Sequence, residues 1–221
     1  GLLSILQWAE EKGFPVGEAS LADDAAEGGQ FEVLKWVKEK GYSWGCATMC
    51  AGQLEVLKWL IENGCHWDEY TLSHAAEKGR FETLKWAREN ACPWAEHDRT
   101  CSYLARKGNQ EMLKWVRANG CPWSEGTCFN AAIEGHLEVL QWLREQGCSW
   151  DPETASGAAL GGHLELLKWA RENGCAWDRD TCSSAARGGH LDVLKWAREN
   201  GCSWDHRTCR YAAELGRLDK L

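Results

Sequence analysis

Fifteen tryptophans fall into two columns, and their spacing constrains this chain more than any other feature. The first column is Trp8, Trp36, Trp59, Trp86, Trp115, Trp142, Trp169 and Trp196, with separations of 28, 23, 27, 29, 27, 27 and 27 residues. The second is Trp44, Trp67, Trp94, Trp123, Trp150, Trp177 and Trp204, each eight residues after the first; only the opening copy departs, with Val16 in that place. A 27-residue period with small indels calls for a repeat architecture, in which each unit buries its apolar face against its neighbours. The indels cluster between the second tryptophan and the next helix: Trp94 to Thr100 takes six residues where Trp123 to Thr127 takes four. Length changes confined to one segment mark a surface connection.

Each repeat is predicted to hold two short helices. The inner helix follows a threonine (Thr71, Thr100, Thr127, Thr154, Thr181, Thr208), whose hydroxyl suits an N-cap. It ends at a glycine such as Gly135 or Gly189, the residue that takes the left-handed C-cap conformation most readily. The outer helix is typified by residues 137–146. Leu137, Val139, Leu140, Trp142 and Leu143 cover roughly 220° of its circumference, leaving Glu138, Gln141, Arg144 and Glu145 for solvent. A single partner helix cannot bury so wide a face; an inner helix and an adjacent repeat together can. Acids at the start of the outer helix (Glu55, Glu82, Glu111, Glu165, Asp192) precede a lysine by three residues, the pattern of a solvated, ion-paired surface. Gly64, Gly120, Gly147, Gly174 and Gly201 close these helices, and Ala91 departs.

The run Ala185-Ala186, Gly189-His190, Asp192-Val193, Leu194-Lys195-Trp196 and Gly201-Cys202 resembles the ankyrin repeat, in register with its Ala-Ala, Gly-His, Glu-Val and Gly-Ala landmarks. The likeness recurs eight times over almost the whole chain. It is similar to a short, Trp- and Cys-rich variety of arrays in large DNA viruses and microbial eukaryotes. The ankyrin repeat has 33 residues. The six missing here fall where the family builds a β-hairpin finger, and its Thr-Pro-Leu-His tetrapeptide is absent. The resemblance implies an all-α, ankyrin-like helix-turn-helix solenoid with fingers reduced or absent. Residues 1–221 are expected to form a single array, and to be a segment of a longer one lacking both caps. The chain opens on an outer helix over residues 2–12 without an inner partner, and stops inside a ninth outer helix at Leu218-Asp219-Lys220-Leu221.

Twelve cysteines suggest a disulfide or metal framework, but their placement argues otherwise. Cys65, Cys92, Cys121, Cys148, Cys175 and Cys202 form one column, and Cys101, Cys128, Cys182 and Cys209 another. Equivalent residues of stacked repeats lie about 8–10 Å apart, too far for a disulfide. These cysteines are expected to be small buried hydrophobes, in a reducing, intracellular compartment. Cys46 and Cys50 are the one pair at helical i,i+4 spacing and too few ligands for zinc. His136, His163 and His190 share a column with Gln30, Gln53, Arg80, Asn109 and Arg217, which suits polar bonding at a helix start better than catalysis. His74 and His97 stand without a nucleophile. No Gly-x-Ser-x-Gly, phosphate-binding glycine loop or His-Glu-x-x-His occurs, so neither an enzyme, a cofactor nor a metal is expected. No apolar run approaches the ~18 residues of a membrane span.

The positions that vary while the scaffold repeats point to binding. Six residues before the Gly-His column stand Asp24, Ala47, His74, Tyr103, Asn130, Gly157, Ser184 and Tyr211; three before it stand Glu27, Cys50, Glu77, Arg106, Ile133, Leu160, Arg187 and Glu214. Both columns lie on the inner helix, the layer that solenoid curvature turns into a concave surface. A protein partner is expected there, through Asp24, His74, Tyr103, Arg106, Asn130, Ile133, Arg187 and Tyr211, with Tyr103, Arg106 and Tyr211 foremost because Tyr and Arg are enriched at hot spots. Two alternatives remain open: a metal- or redox-responsive cysteine array, and nucleic-acid binding by a local patch of Arg106-Lys107 with Lys114 and Arg117. The net charge of -8 counts against the second.

Overall fold

A computed structural model describes residues 2–14, 18–44, 51, 53–95, 97 and 99–214. Fifteen α-helices and no strand occur among them: α1 (Leu2–Glu11), α2 (Glu18–Glu27), α3 (Phe31–Lys40), α4 (Leu54–Glu62), α5 (Thr71–Glu77), α6 (Phe81–Glu89), α7 (Arg99–Arg106), α8 (Gln110–Ala118), α9 (Glu125–Ile133), α10 (Leu137–Glu145), α11 (Pro152–Gly161), α12 (Leu164–Glu172), α13 (Arg179–Gly188), α14 (Leu191–Glu199) and α15 (His206–Glu214). Inner helices are α2, α5, α7, α9, α11, α13 and α15; the other eight are outer. Val16, Cys46, Ala47, Cys50, Arg217 and the expected ninth outer helix lie outside the described residues.

The chain divides into two compact units, Gly1–Ala95 and Glu96–Leu221. In the second, α7, α9, α11, α13 and α15 pack side by side as one layer, and each of the first four also packs on the outer helix that follows it. In the first, α2 packs on α3 and α5 on α6. The turn between the two helices of a repeat is two or three residues, the geometry of an α-hairpin. Its glycine is left-handed, as at Gly135 (φ 80°) and Gly189 (φ 78°), where a side chain would be strained.

The core follows the repeat. Val139, Leu140 and Leu143 are buried on α10, and Leu166, Leu167 and Ala170 replace them on α12. The alanine pairs Ala131-Ala132, Ala158-Ala159 and Ala185-Ala186 are all buried, letting inner helices approach closely. At two places the approach excludes even a methyl group: a Cβ built on Gly161 or Gly188 would lie under 3.0 Å from the carbonyl oxygen of Ile133 or Leu160 on the preceding inner helix.

The threonines are not N-caps. In α9, α11 and α13 the cap stands three residues earlier: Ser124 Oγ accepts from the Gly126 amide at 3.1 Å and Asp178 Oδ1 from the Asp180 amide at 2.8 Å, whereas α5 has Tyr70 at its N-cap without a side-chain bond. Asp151 Oδ1 likewise accepts from Glu153 and Thr154. Each threonine therefore sits in the first turn, fully buried, as at Thr127, Thr154 and Thr181. Thr127 completes a capping box with Ser124. An acid or serine three positions before a threonine carried that signal in the sequence.

Candidate interaction surface

Building outward from the core, the tryptophans form an interlocked stripe. Within the second unit, Trp123, Trp150 and Trp177 each meet, edge to face, the first-column tryptophan of the next repeat: Trp142 at 6.0 Å, Trp169 at 5.8 Å and Trp196 at 5.7 Å between centroids. Trp44–Trp59 repeats this in the first unit, and Trp67–Trp86 meet at the same 6.0 Å but tilted, at 59° between ring planes. These indoles are half-buried, neither core nor free. Trp36 is buried, whereas Trp8 and Trp204 are exposed.

An arginine column, read as solvent-facing from helix periodicity, holds the stripe in place. Arg117, Arg144 and Arg171 lie over Trp123, Trp150 and Trp177 with the guanidinium carbon 4.0, 4.3 and 4.3 Å from the ring centre. Arg117 also donates to the Cys121 carbonyl at 2.8 Å, and Arg144 and Arg171 donate to those of Cys148 and Cys175. Each arginine thus closes the C-terminal end of its outer helix and stacks on the tryptophan beyond it.

Among the described residues the cysteines are buried free thiols, apart from exposed Cys209, which departs from the expected burial. Cys148, Cys175 and Cys202 donate to the carbonyls of the inner-helix caps Ser124, Asp151 and Asp178 at 3.4, 3.5 and 3.2 Å. A weak S–H donor there ties one end of the repeat to the other, which an alanine would not. Burial pushes the Cys92 thiol up to about 12 and that of Cys175 to about 11. Cys128 is pushed up by its hydrogen bond with the Cys148 sulfur and by burial, and Cys182 likewise beside Cys202. These intra-repeat pairs bring the two cysteine columns together, a proximity that their linear spacing hides.

The Gly-His column does bond at helix starts, and across repeats. His136 Nε2 lies 3.0 Å from the Arg106 carbonyl and His163 Nε2 3.1 Å from that of Ile133, so each ring bridges to the end of the preceding inner helix. In the first unit Arg80 donates to the Ala51 carbonyl at 2.9 Å. Asn109 caps its own helix at Met112 instead.

The candidate binding residues occupy the inner helices as their columns require. Asp24 on α2 is exposed beside a groove of about 250 Å³ lined by Ile5, Leu6, Leu21, Ala25 and Val33. His74 on α5 is half-buried, with Nδ1 unbonded. In the second unit, Tyr103 on α7 and Ile133 on α9 are half-buried, and Arg106 and Arg187 are exposed. Arg106 pairs with Glu134 at 3.0 Å. Asn130 spends an amide hydrogen on the Gly126 carbonyl of its own helix at 2.8 Å. Tyr211 is half-buried on α15 with the Arg210 guanidinium 5.1 Å from its ring. In the basic patch, Arg117 is committed to Trp123 and Cys121, Arg106 to Glu134, and Lys114 stands over the Trp142 ring; among the described residues no ion pair is made by Lys107 or Lys114. No group of three metal-binding side chains occurs among the described residues, nor a helix long and apolar enough to cross a membrane.

Paired helices, a 27-residue period and left-handed glycine turns define an all-α array of helix-turn-helix repeats. Among solved structures, the chain is similar to the ankyrin repeat domain of human ASB11, with a TM-score of 0.49 and 17% identity over 66% of this chain and 83% of that one. No family model and no curated protein matches.

Proposed function

We propose that this chain, as a single repeat array, is a protein-interaction scaffold that binds a partner protein through the inner-helix face, without chemistry of its own. One observation carries the reading. On a scaffold whose buried positions hardly change, the two inner-helix columns change from Tyr103 to Asn130 to Gly157 to Ser184 to Tyr211, and from Arg106 to Ile133 to Leu160 to Arg187, all but the buried Gly157 standing exposed or half-buried. The outer face offers no such variety, because its arginines and tryptophans are committed to one another. A preformed surface of this kind binds without paying the ordering cost of a flexible loop. The cysteine alternative finds less support, since the thiols serve as buried donors. The eight residues named above are the proposed contacts.

The test is affinity capture under reducing conditions, comparing the wild type with Tyr103→Ala/Arg106→Ala/Tyr211→Ala after circular dichroism has confirmed its fold. A protein retained by the wild type and lost by the variant supports the reading. Equal capture by both refutes the assignment of the face.

A further inference from the structure

At one repeat position the five inner helices of the second unit carry Arg106 on α7, Ile133 on α9, Leu160 on α11, Arg187 on α13 and Glu214 on α15; Glu214 pairs with Arg210 of its own helix at 3.4 Å, and the first four form a row. Resting on the scaffold reading above, we infer that this row binds an extended protein segment bearing two apolar side chains flanked on both sides by acids.

The middle of the row is built by backbone. Gly161 and Gly188 occupy the position after Leu160 and Arg187, where α5, α7 and α9 are followed by Lys78, Lys107 and Glu134. Their missing side chains let the carbonyls of Ile133 and Leu160 press against the next helix, and the His163 ring bridges to the Ile133 carbonyl. Ile133 and Leu160 therefore stand on neighbouring inner helices that approach closely at Gly161. Both are half-buried, with apolar surface still facing water. A partner side chain covering that surface gains from its desolvation.

The ends of the row supply charge. Arg187 is exposed and has no acidic partner among the described residues. Arg106 is exposed, and its Glu134 partner is exposed too, so a partner carboxylate can share or displace that pair. Lys107 adds a second exposed cation beside Arg106. Guanidinium groups flanking an apolar pair complement carboxylates flanking two apolar side chains. Helix spacings of about 8–10 Å against an extended rise of about 3.3 Å per residue give a register of about three residues per step. The matching segment reads acid-x-x-apolar-x-x-apolar-x-x-acid. A nucleic acid could meet the arginines but would leave the aliphatic pair uncovered.

The probe is a fluorescein-labelled ten-residue peptide with glutamates at both ends, leucines at the fourth and seventh positions, and serine or glycine elsewhere. Its anisotropy is measured against the 1–221 chain, with variants first checked by circular dichroism and thermal melting. Saturable binding is expected, weakening by about tenfold or more in Arg106→Glu/Arg187→Glu and in Ile133→Ser/Leu160→Ser. Arg106→Lys/Arg187→Lys should retain most of it, and a peptide with lysine ends should recover binding to the charge-reversed variant. No saturable binding up to millimolar chain, or binding equal for a scrambled peptide, overturns the inference. So does a single-stranded oligonucleotide that binds the wild type, is lost in the charge reversal and ignores Ile133→Ser/Leu160→Ser. If the peptide fails while partner capture still depends on Tyr103, Arg106 and Tyr211, this inference alone falls. If both fail, the inner face itself is wrong.

Discussion

Replacing Gly161 with alanine separates two accounts of this fold, because they predict opposite signs. Gly161 ends α11 without a positive φ, so helix propensity alone favours alanine by up to about 1 kcal/mol. The packing says otherwise. The new Cβ would lie under 3.0 Å from the Ile133 carbonyl oxygen, an atom of the α9 backbone that cannot rotate away, and 2.6 Å from the His163 ring. The helices would have to part, and the 3.1 Å contact from His163 Nε2 to that carbonyl would go with them. Overpacking costs about 1–3 kcal/mol and a lost hydrogen bond about 1 kcal/mol, so the net effect is a destabilisation of about 1–3 kcal/mol. At about 2–4 °C per kcal/mol for a chain of this size, the melting temperature should fall by several degrees. Urea unfolding followed by tryptophan fluorescence would give the same ordering through its midpoint. Gly28→Ala is the control, since its Cβ would meet nothing closer than the Asp24 carbonyl oxygen at 3.3 Å and should change stability by a few tenths of a kcal/mol. A Gly161→Ala protein as stable as the wild type would refute the close-packed inner layer.

Three further substitutions or titrations probe other parts of the scaffold. Ala91 is the one non-glycine residue with positive φ among the described residues, at 64°, where other repeats have glycine; Ala91→Gly should stabilise by up to about 1 kcal/mol in thermal melting. Arg171→Lys keeps the charge but removes the flat group that stacks on Trp177 and reaches the Cys175 carbonyl, so it should cost about 1 kcal/mol in urea unfolding, with a shift in tryptophan emission. Burial raises the Cys92 and Cys175 thiols to about 12 and about 11, so their contribution to stability is complete below the unfolded thiol range near pH 8.5–9 and is lost as pH rises from there to 11–12. Melting temperature should therefore fall progressively above pH 9, less steeply in a Cys92→Ala/Cys175→Ala variant. In thiol labelling at pH 8, exposed Cys209 should react long before the buried ones.

What could be read in the sequence follows from what a period can encode. The tryptophan columns and glycine punctuation yield the helix pairs and their boundaries, because apolar periodicity and left-handed turns are local properties. The sequence pattern suits Thr127, Thr154 and Thr181 as caps, but Ser124, Asp151 and Asp178 hold those positions. The buried threonine suits an N3 position equally well in one dimension. Contacts between separate elements, within a repeat or across repeats, were out of reach. The Arg144 stack on Trp150, the Cys148 donation to Ser124 and the bridge from His163 to Ile133 join residues 6, 24 and 30 apart, and only packing brings them together.

That division bears on where recognition can evolve. The arginines, cysteines and Gly-His residues each hold two elements together, so changing one releases a partner group as well as altering a surface. Arg144→Ala, for example, would free the Cys148 carbonyl and bare one side of Trp150. Tyr103, Ile133, Leu160 and Arg187 stand on the same rigid helices but outside those clamps. Their chemistry can change between repeats at little cost to the fold, which supports the proposal that a partner is distinguished on the inner layer.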